Sequence, residues 1–123
     1  RVSSVIGRFL EHSRLFWFAN DGSPELFIGS ADWMTRNLDR RVEAITPIED
    51  PALCMQLEWL LKLYLCDRRS AWCMHSDGSY TRATEASEGG IAQQELMELW
   101  GLVPTGLTAA TTSGSCAARP ITA

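Results

Sequence analysis

A continuous apolar and aromatic run, Leu15-Phe16-Trp17-Phe18-Ala19, is followed at once by Asn20-Asp21-Gly22-Ser23-Pro24, five residues of turn chemistry. A short apolar run bounded by such residues predicts a buried strand rather than a helix. Leu26-Phe27-Ile28 resumes beyond the turn, so the segment predicts a hairpin of 14–19 with 25–29. Around it, one or two helical turns are expected over Trp33–Leu38. A third strand is expected over Arg41–Pro47, with Val42, Ala44 and Thr46 opposite Glu43 and Ile45. Asp50-Pro51 then opens the clearest helix: Asp suits the cap and Pro the first helical position. Leu53, Leu57, Leu60, Leu61 and Tyr64 give that helix one apolar face, and Arg68 and Arg69 lie at its cation-favouring end. A second hairpin is expected from Ala71–Met74 and Ser79–Arg82 about Asp77-Gly78. A short helix is predicted at 2–11 and another at 90–100. Strands interleaved with helices predict an α/β fold, a mixed β-sheet packed by helices, with α+β as the alternative.

The chain has 123 residues, enough for one domain or part of one, and 46% of them are hydrophobic. It begins with Arg1 inside an already patterned run, which suggests a fragment of something larger. No apolar stretch approaches the roughly 18 residues of a membrane helix, and no secretory pattern opens the chain. Net charge is −4, which argues against a non-specific nucleic-acid surface. Residues 1–43 balance six Arg against six Asp and Glu, so the guanidinium groups concentrate in the first third. Arg rather than Lys suits bidentate contact with phosphate. Cys54, Cys66, Cys73 and Cys116 form no C-x-x-C pair, and with two histidines they make no zinc spacing. Cys54 and Cys66 are too far apart along one helix to bridge, so four free thiols of a reducing compartment are expected. From Gly101 the composition shifts to Gly, Thr, Ala and Ser, predicting a low-complexity, disordered tail over 101–123 after a domain of residues 1–100.

The residues able to do chemistry cluster early. His12 can attack phosphorus or pass a proton to a leaving oxygen. Arg14 shares its face if 12–14 is extended, so the two could hold one phosphate between them. Gly29-Ser30-Ala31-Asp32 ends a strand in small residues that admit a phosphate closely, and Ser30 adds a hydroxyl donor. Asp32 could orient a histidine ring. Arg36, Asn37, Arg40 and Arg41 follow as candidate clamps. In a strand from 41 to 47, Arg41 and Glu43 would share a face and point to the site, leaving Arg36 and Arg40 on its rim or on open surface. His75 is read as structural. There is no P-loop and no dinucleotide-binding glycine motif.

A histidine, a basic residue two positions on, Gly-Ser-x-Asn and a downstream Glu form the phospholipase D superfamily pattern. This chain departs from it: Arg14 replaces the usual Lys, Ala19 stands where an Asp is expected, the gap to Gly29 is longer, and Asp32 replaces the Asn. A relative of that superfamily fits better. Gly7-Arg8-Phe9-Leu10-Glu11-His12-Ser13-Arg14, Gly29-Ser30-Ala31-Asp32-Trp33-Met34-Thr35-Arg36-Asn37 and Asp39-Arg40-Arg41-Val42-Glu43 closely resemble the C-terminal catalytic domain of polyphosphate kinase. The likeness continues at Pro47, Glu49-Asp50-Pro51, Asp77-Gly78-Ser79-Tyr80 and Ala92-Gln93 and covers about residues 1–100.

That resemblance implies a phospholipase-D-like half-domain, the end of the second of two such halves. It implies reversible transfer of the ATP terminal phosphate to inorganic polyphosphate through a phosphohistidine in the first half, outside this chain. His12 then matches the second-half histidine, which contacts ATP and assists transfer. Arg41 matches a phosphate-binding arginine, and Arg14 and Ser30 are weaker candidates for phosphate contact. Asp32, Asn37 and Glu43 are supporting residues. The resemblance also implies ATP or ADP and polyphosphate as partners, Mg2+ held by ligands not in this chain, upstream polypeptide, and a homo-oligomer in the full protein. The location implied is cytoplasmic, with membrane association a further option, and the fragment alone should be inactive. Two other readings are a phosphodiesterase half-site completed by a second copy and a non-catalytic module that binds ATP or polyphosphate.

Overall fold

In the computed structural model, residues 1–83 and 90–101 are described. The expected tail beyond Gly101 lies outside them. The fold class is mixed α/β, as the pattern of elements predicts. The strands divide into two separate three-stranded antiparallel sheets, one in each of two compact units. The first unit contains Arg1–Leu10 and the described residues from Lys62 onward, and the second contains Glu11–Leu61.

In the second unit, β2 (Leu15–Phe18) pairs with β3 (Glu25–Gly29), and β3 pairs with β4 (Ile45–Pro47). The hairpin is the one the apolar runs predict. Its turn closes through Asn20 (φ 41°), Asp21 (φ 49°) and Gly22 (φ 92°). Left-handed backbone of this kind is best tolerated by these residue types, which explains the Asn-Asp-Gly string. The short helix α1 (Thr35–Arg40) follows the small-residue turn after β3.

The third strand is shorter than expected. It begins at Ile45, not Arg41. The reason lies in the side chains: the Ser30 Oγ accepts the Ala44 N–H at 3.0 Å, and Glu43 turns toward Ser30 and Asn37. The Ser30 N–H still donates to the Ala44 carbonyl at 3.0 Å, but beyond it side-chain bonds replace the ladder that would have extended the strand.

The helix α2 (Pro51–Cys66) starts where Asp50-Pro51 predicts. Asp50 Oδ1 accepts the N–H groups of Ala52 (2.8 Å) and Leu53 (3.1 Å), satisfying two donors that a helix start leaves free. Leu57, Leu60, Leu61 and Tyr64 are half-buried, whereas Leu53 is exposed.

In the first unit, β1 (Val2–Val5), β5 (Ala71–Met74) and β6 (Tyr80–Arg82) form the sheet in the order β1-β5-β6. The expected helix at 2–11 is therefore replaced by a strand. Val and Ser are indifferent helix formers, and a ten-residue helix is marginal on its own. Pairing of Val2 with Met74 and of Val5 with Ala71 instead gives this backbone cross-strand partners along one edge, on β5. The second hairpin turns through Asp77 and Gly78 (φ 83°) as predicted, with Asp77 accepting from the Ser79 N–H and hydroxyl. The helix α3 (Ala92–Leu99) buries Ala92, Gln93 and Leu96.

Two polar residues organise this unit. Asp67, 2% exposed, accepts from the backbone N–H groups of Arg69, Ser70 and Ala92 and from the Ser70 hydroxyl. Gln93 pairs both ends of its amide with the Phe9 backbone, accepting at 3.0 Å and donating at 2.8 Å. A Cβ at Gly7 would overlap that amide, so glycine is required there by close approach. Cys54 and Cys73 are free thiols, as expected, whereas Cys66 is disulfide-bonded, which corrects the expectation for that residue. No spacing motif marks Cys66 for pairing, and Cys116 lies outside the described residues. Among the described residues, no helix is long and apolar enough to cross a membrane.

Candidate active site

The segment 11–44 folds so that β3 ends in the small-residue turn while β2 enters beside it. Gly29 donates its N–H to the Arg14 carbonyl at 2.9 Å, so the β2–β3 pairing reaches back to Arg14. That register sets Arg14 against the turn. Arg14 Nε donates to Asp32 Oδ1 at 2.7 Å, an ion pair whose side chains are 24% and 40% exposed. Arg14 Nη1 donates to the His12 carbonyl at 3.3 Å, folding the guanidinium back over the histidine segment. Asp32, expected as a partner of a histidine ring, is instead bonded to Arg14.

His12 contributes to Asp32 through its charge. The Asp32 carboxyl is held below the usual carboxylate range, chiefly by the Arg14 hydrogen bond; desolvation opposes this, and the charges of Arg14, Arg36 and His12 add to the lowering. The Arg14 guanidinium is correspondingly pushed up, chiefly by the Asp32 hydrogen bond, with Asp32 and Glu43 adding charge attraction. Asp32 thus lies within electrostatic reach of His12, Arg14 and Arg36, and Arg14 within reach of Asp32 and Glu43.

Behind this exposed pair sits a second layer. Ser30 Oγ donates to Glu43 Oε2 at 2.5 Å, and Asn37 Nδ2 donates to Glu43 Oε1 at 3.1 Å. Each carboxylate oxygen of Glu43 therefore has a donor, and Ser30 also takes the Ala44 N–H. Asn37 is 1% exposed, and its Oδ1 has no hydrogen-bond partner among the described residues. Sequence reasoning places Asn37 and Glu43 together as supporting residues. It does not foresee that Asn37 is the most completely buried large side chain of the chain's described part, because a polar residue on a short helix carries no apolar period.

Arg41 is placed differently from the expectation of a strand face shared with Glu43. It caps the C-terminal end of α1 in extended backbone (φ −125°, ψ 155°) and is exposed. Among the described residues, no hydrogen bond or ion pair joins it to the cluster. Arg36 and Arg40 are exposed on α1.

Chemically, the arrangement has the groups that could receive an anion. The Arg14 guanidinium is fixed by one carboxylate through Nε and by the backbone carbonyl of His12 through Nη1. Its Nη2 remains without a protein partner among the described residues. A metal site is not built here: Asp32 and Glu43 are already engaged, and among the described residues no three His, Cys, Asp or Glu side chains converge on a common point.

Residues 1–94 match the family model described as polyphosphate kinase C-terminal domain 2. The chain belongs to the polyphosphate kinase family. It is 63% identical over 101 residues to a polyphosphate kinase of Prochlorococcus marinus, covering 80% of this chain and 14% of that protein. A polyphosphate kinase of Thermosynechococcus vestitus is 60% identical over 86 residues, covering 70% of this chain and 12% of that protein. The fold agrees: a crystal structure of polyphosphate kinase from Porphyromonas gingivalis superposes with a TM-score of 0.73 at 34% identity, over 82% of this chain and 16% of that one. This chain thus spans about one seventh of the length of the curated relatives it matches. The family match contains the whole cluster from His12 to Glu43. It also contains Gly7 and Gln93, whose joint appearance among the quoted motifs now has a physical cause in their contact.

Proposed function

We propose that this chain is the closing part of the catalytic region of a polyphosphate kinase that moves the terminal phosphate of ATP, reversibly, onto inorganic polyphosphate. In this reading the bond from the ATP β-phosphate bridging oxygen to the terminal phosphorus breaks, and a P–N bond forms on a histidine outside residues 1–123. That P–N bond then breaks as the terminal oxygen of polyphosphate takes the phosphoryl group. A loose phosphoryl-transfer transition state asks the protein for positioning and positive charge more than for covalent chemistry.

The observation that supports this reading best is the Arg14–Asp32 pair beside His12 within a family-matched chain. The pair presents one fixed guanidinium edge to a phosphate oxygen. His12 hydrogen-bonds the departing or attacking oxygen, and Arg41, exposed and unpaired among the described residues, supplies a second cation to the same anion. Magnesium enters this reading with the nucleotide, held by its phosphates and by groups outside the chain, since the carboxylates described here are engaged. The reading extends to a homo-oligomeric, cytoplasmic enzyme in which this chain is inactive alone.

The test is ATP-dependent polyphosphate synthesis by the longer polypeptide that encompasses this chain, carrying His12→Ala. A loss of about 10²-fold or more is expected for removing a group that acts on the transferred oxygen. Turnover equal to that of the unmodified protein would remove His12 from the reaction. Cleavage of a model phosphodiester without ATP would replace the kinase with a phosphodiesterase.

A further inference from the structure

The chain that carries His12 leaves β1 at Val5 and enters β2 at Leu15. Backbone between two strands is fixed only where other groups pair with it. Ile6 donates its N–H to the Ser70 carbonyl at 3.0 Å. Phe9 is held by a single side chain: Gln93 Oε1 accepts the Phe9 N–H at 3.0 Å, and Gln93 Nε2 donates to the Phe9 carbonyl at 2.8 Å. The carboxamide thus stands in for a neighbouring strand, taking the donor and the acceptor of one residue together. Gln93 lies in the first turn of α3, between Ala92 at 1% and Leu96 at 8% exposure, so the amide is carried by a well-packed element. Gly7 makes room for it, since a Cβ there would overlap the amide.

Only Leu10 and Glu11 separate Phe9 from His12. A residue spans at most about 3.6 Å of extended chain, so an anchor at Phe9 keeps His12 within about 11 Å of it. With Ile6 as the fixed point instead, the reach would double to about 22 Å. Beyond His12 the chain is tied again: the His12 carbonyl accepts from Arg14 Nη1 at 3.3 Å, and the Arg14 carbonyl accepts the Gly29 N–H at 2.9 Å. Among the described residues no hydrogen bond orients the His12 ring, so its place depends on its backbone.

We propose that Gln93 is a positioning residue for His12, acting through the Phe9 backbone. The proposal rests on the reading of His12 as a group that acts on the transferred phosphate. Losing the anchor frees the imidazole from the distance and angle that transfer needs. That lowers the rate of the bound complex and leaves the affinity for the nucleotide nearly as it was.

The experiment uses the longer polypeptide that encompasses this chain, carrying Gln93→Met. Methionine is similar in length and flexibility but makes neither bond, so packing is kept and the anchor is lost. Gly7→Ala serves as a second variant, because its methyl group displaces the amide while leaving Gln93 in the chain. In both, kcat for ATP-dependent polyphosphate synthesis per folded molecule is expected to fall about tenfold, with KM for ATP within about twofold. The double variant should be no slower than either single one, since both remove the same contact. Amide-nitrogen relaxation at His12 should show the order parameter falling from about 0.85 to below about 0.6 in Gln93→Met. Three results would overturn the proposal: an order parameter that does not move; kcat unchanged although the order is lost; or effects of Gly7→Ala and Gln93→Met that add in full, which would make the two residues independent parts of the scaffold. Transfer absent from the unmodified polypeptide would sink the kinase reading alone, and the order parameter would still decide whether Gln93 positions His12.

Discussion

Asp67 and Asp32 are two aspartates in two sheet-bearing units, and they solve opposite problems. Asp67 is 2% exposed and saturated: three backbone N–H groups and a hydroxyl use up its lone pairs. Nothing further can bind to it, so it ties the start of β5 to the start of α3. The Asp32 side chain is 40% exposed, makes one strong bond to Arg14, and is also acted on by Arg36 and His12. A buried carboxylate with every acceptor filled is scaffold. A half-exposed one that immobilises a cation, while leaving donors of that cation free, leaves that cation able to meet a ligand.

The largest effect expected from this contrast is at Asp67. Asp67→Ala in the longer polypeptide strands the amides of Ser70 and Ala92 inside the unit, at a cost of about 3 kcal/mol for donors left without partners. Hydrogen exchange at those amides should rise by about 10²-fold, while phosphate transfer per folded molecule stays unchanged. A fall in that specific activity with exchange unaltered would show that Asp67 serves the reaction and would break the contrast.

Asp32→Asn should do the reverse on a smaller scale. The amide oxygen can still accept from Arg14 Nε, so the turn keeps its shape, but the charge that fixes the guanidinium is gone. Transfer is expected to fall by about tenfold, in line with the cost of loosening a positioned group, with exchange at the Ala92 amide unmoved. If Asp32→Asn instead opened the turn and exposed the Asn37 side-chain network, Asp32 would be scaffold like Asp67.

The same contrast explains what the sequence made visible. Strings with strong local chemistry were legible: Asn20-Asp21-Gly22 as a left-handed turn, Asp50-Pro51 as a helix cap, Asp77-Gly78 as a hairpin. The cluster His12, Arg14, Ser30, Asp32, Asn37 and Glu43 was legible as a set of residue types, and a short, motif-dense segment brings it together. What was not legible depends on partners distant in the chain. Val2–Val5 is a strand only because Ala71–Met74 lies beside it. Arg41–Ala44 is not a strand because Ser30 and Asn37 take Glu43 and the Ala44 amide away from the ladder. Asp32 bonds Arg14 rather than an imidazole because the β2–β3 register, not residue type, decides which cation lies nearest.

The smallest effect is a titration, and it isolates the cause of the Asp32 geometry. Its carboxyl is depressed below the ordinary value of about 3.9 chiefly by the Arg14 hydrogen bond. A carboxylate depressed by folding stabilises the fold at every pH above its unfolded value. That contribution is lost as the pH falls through the lower, folded value. The pair is therefore intact throughout the neutral range and fails only in strong acid. In Arg14→Gln the leading cause is removed, and the midpoint of the Asp32 carboxyl resonance should move upward. Asp77 provides the control within the same spectrum: it is lowered by the Ser79 hydroxyl and amide, which Arg14 does not touch, so its midpoint should not change. An Asp32 midpoint that stayed in place in Arg14→Gln would mean that the surrounding charges, and not the guanidinium bond, set the state of the turn.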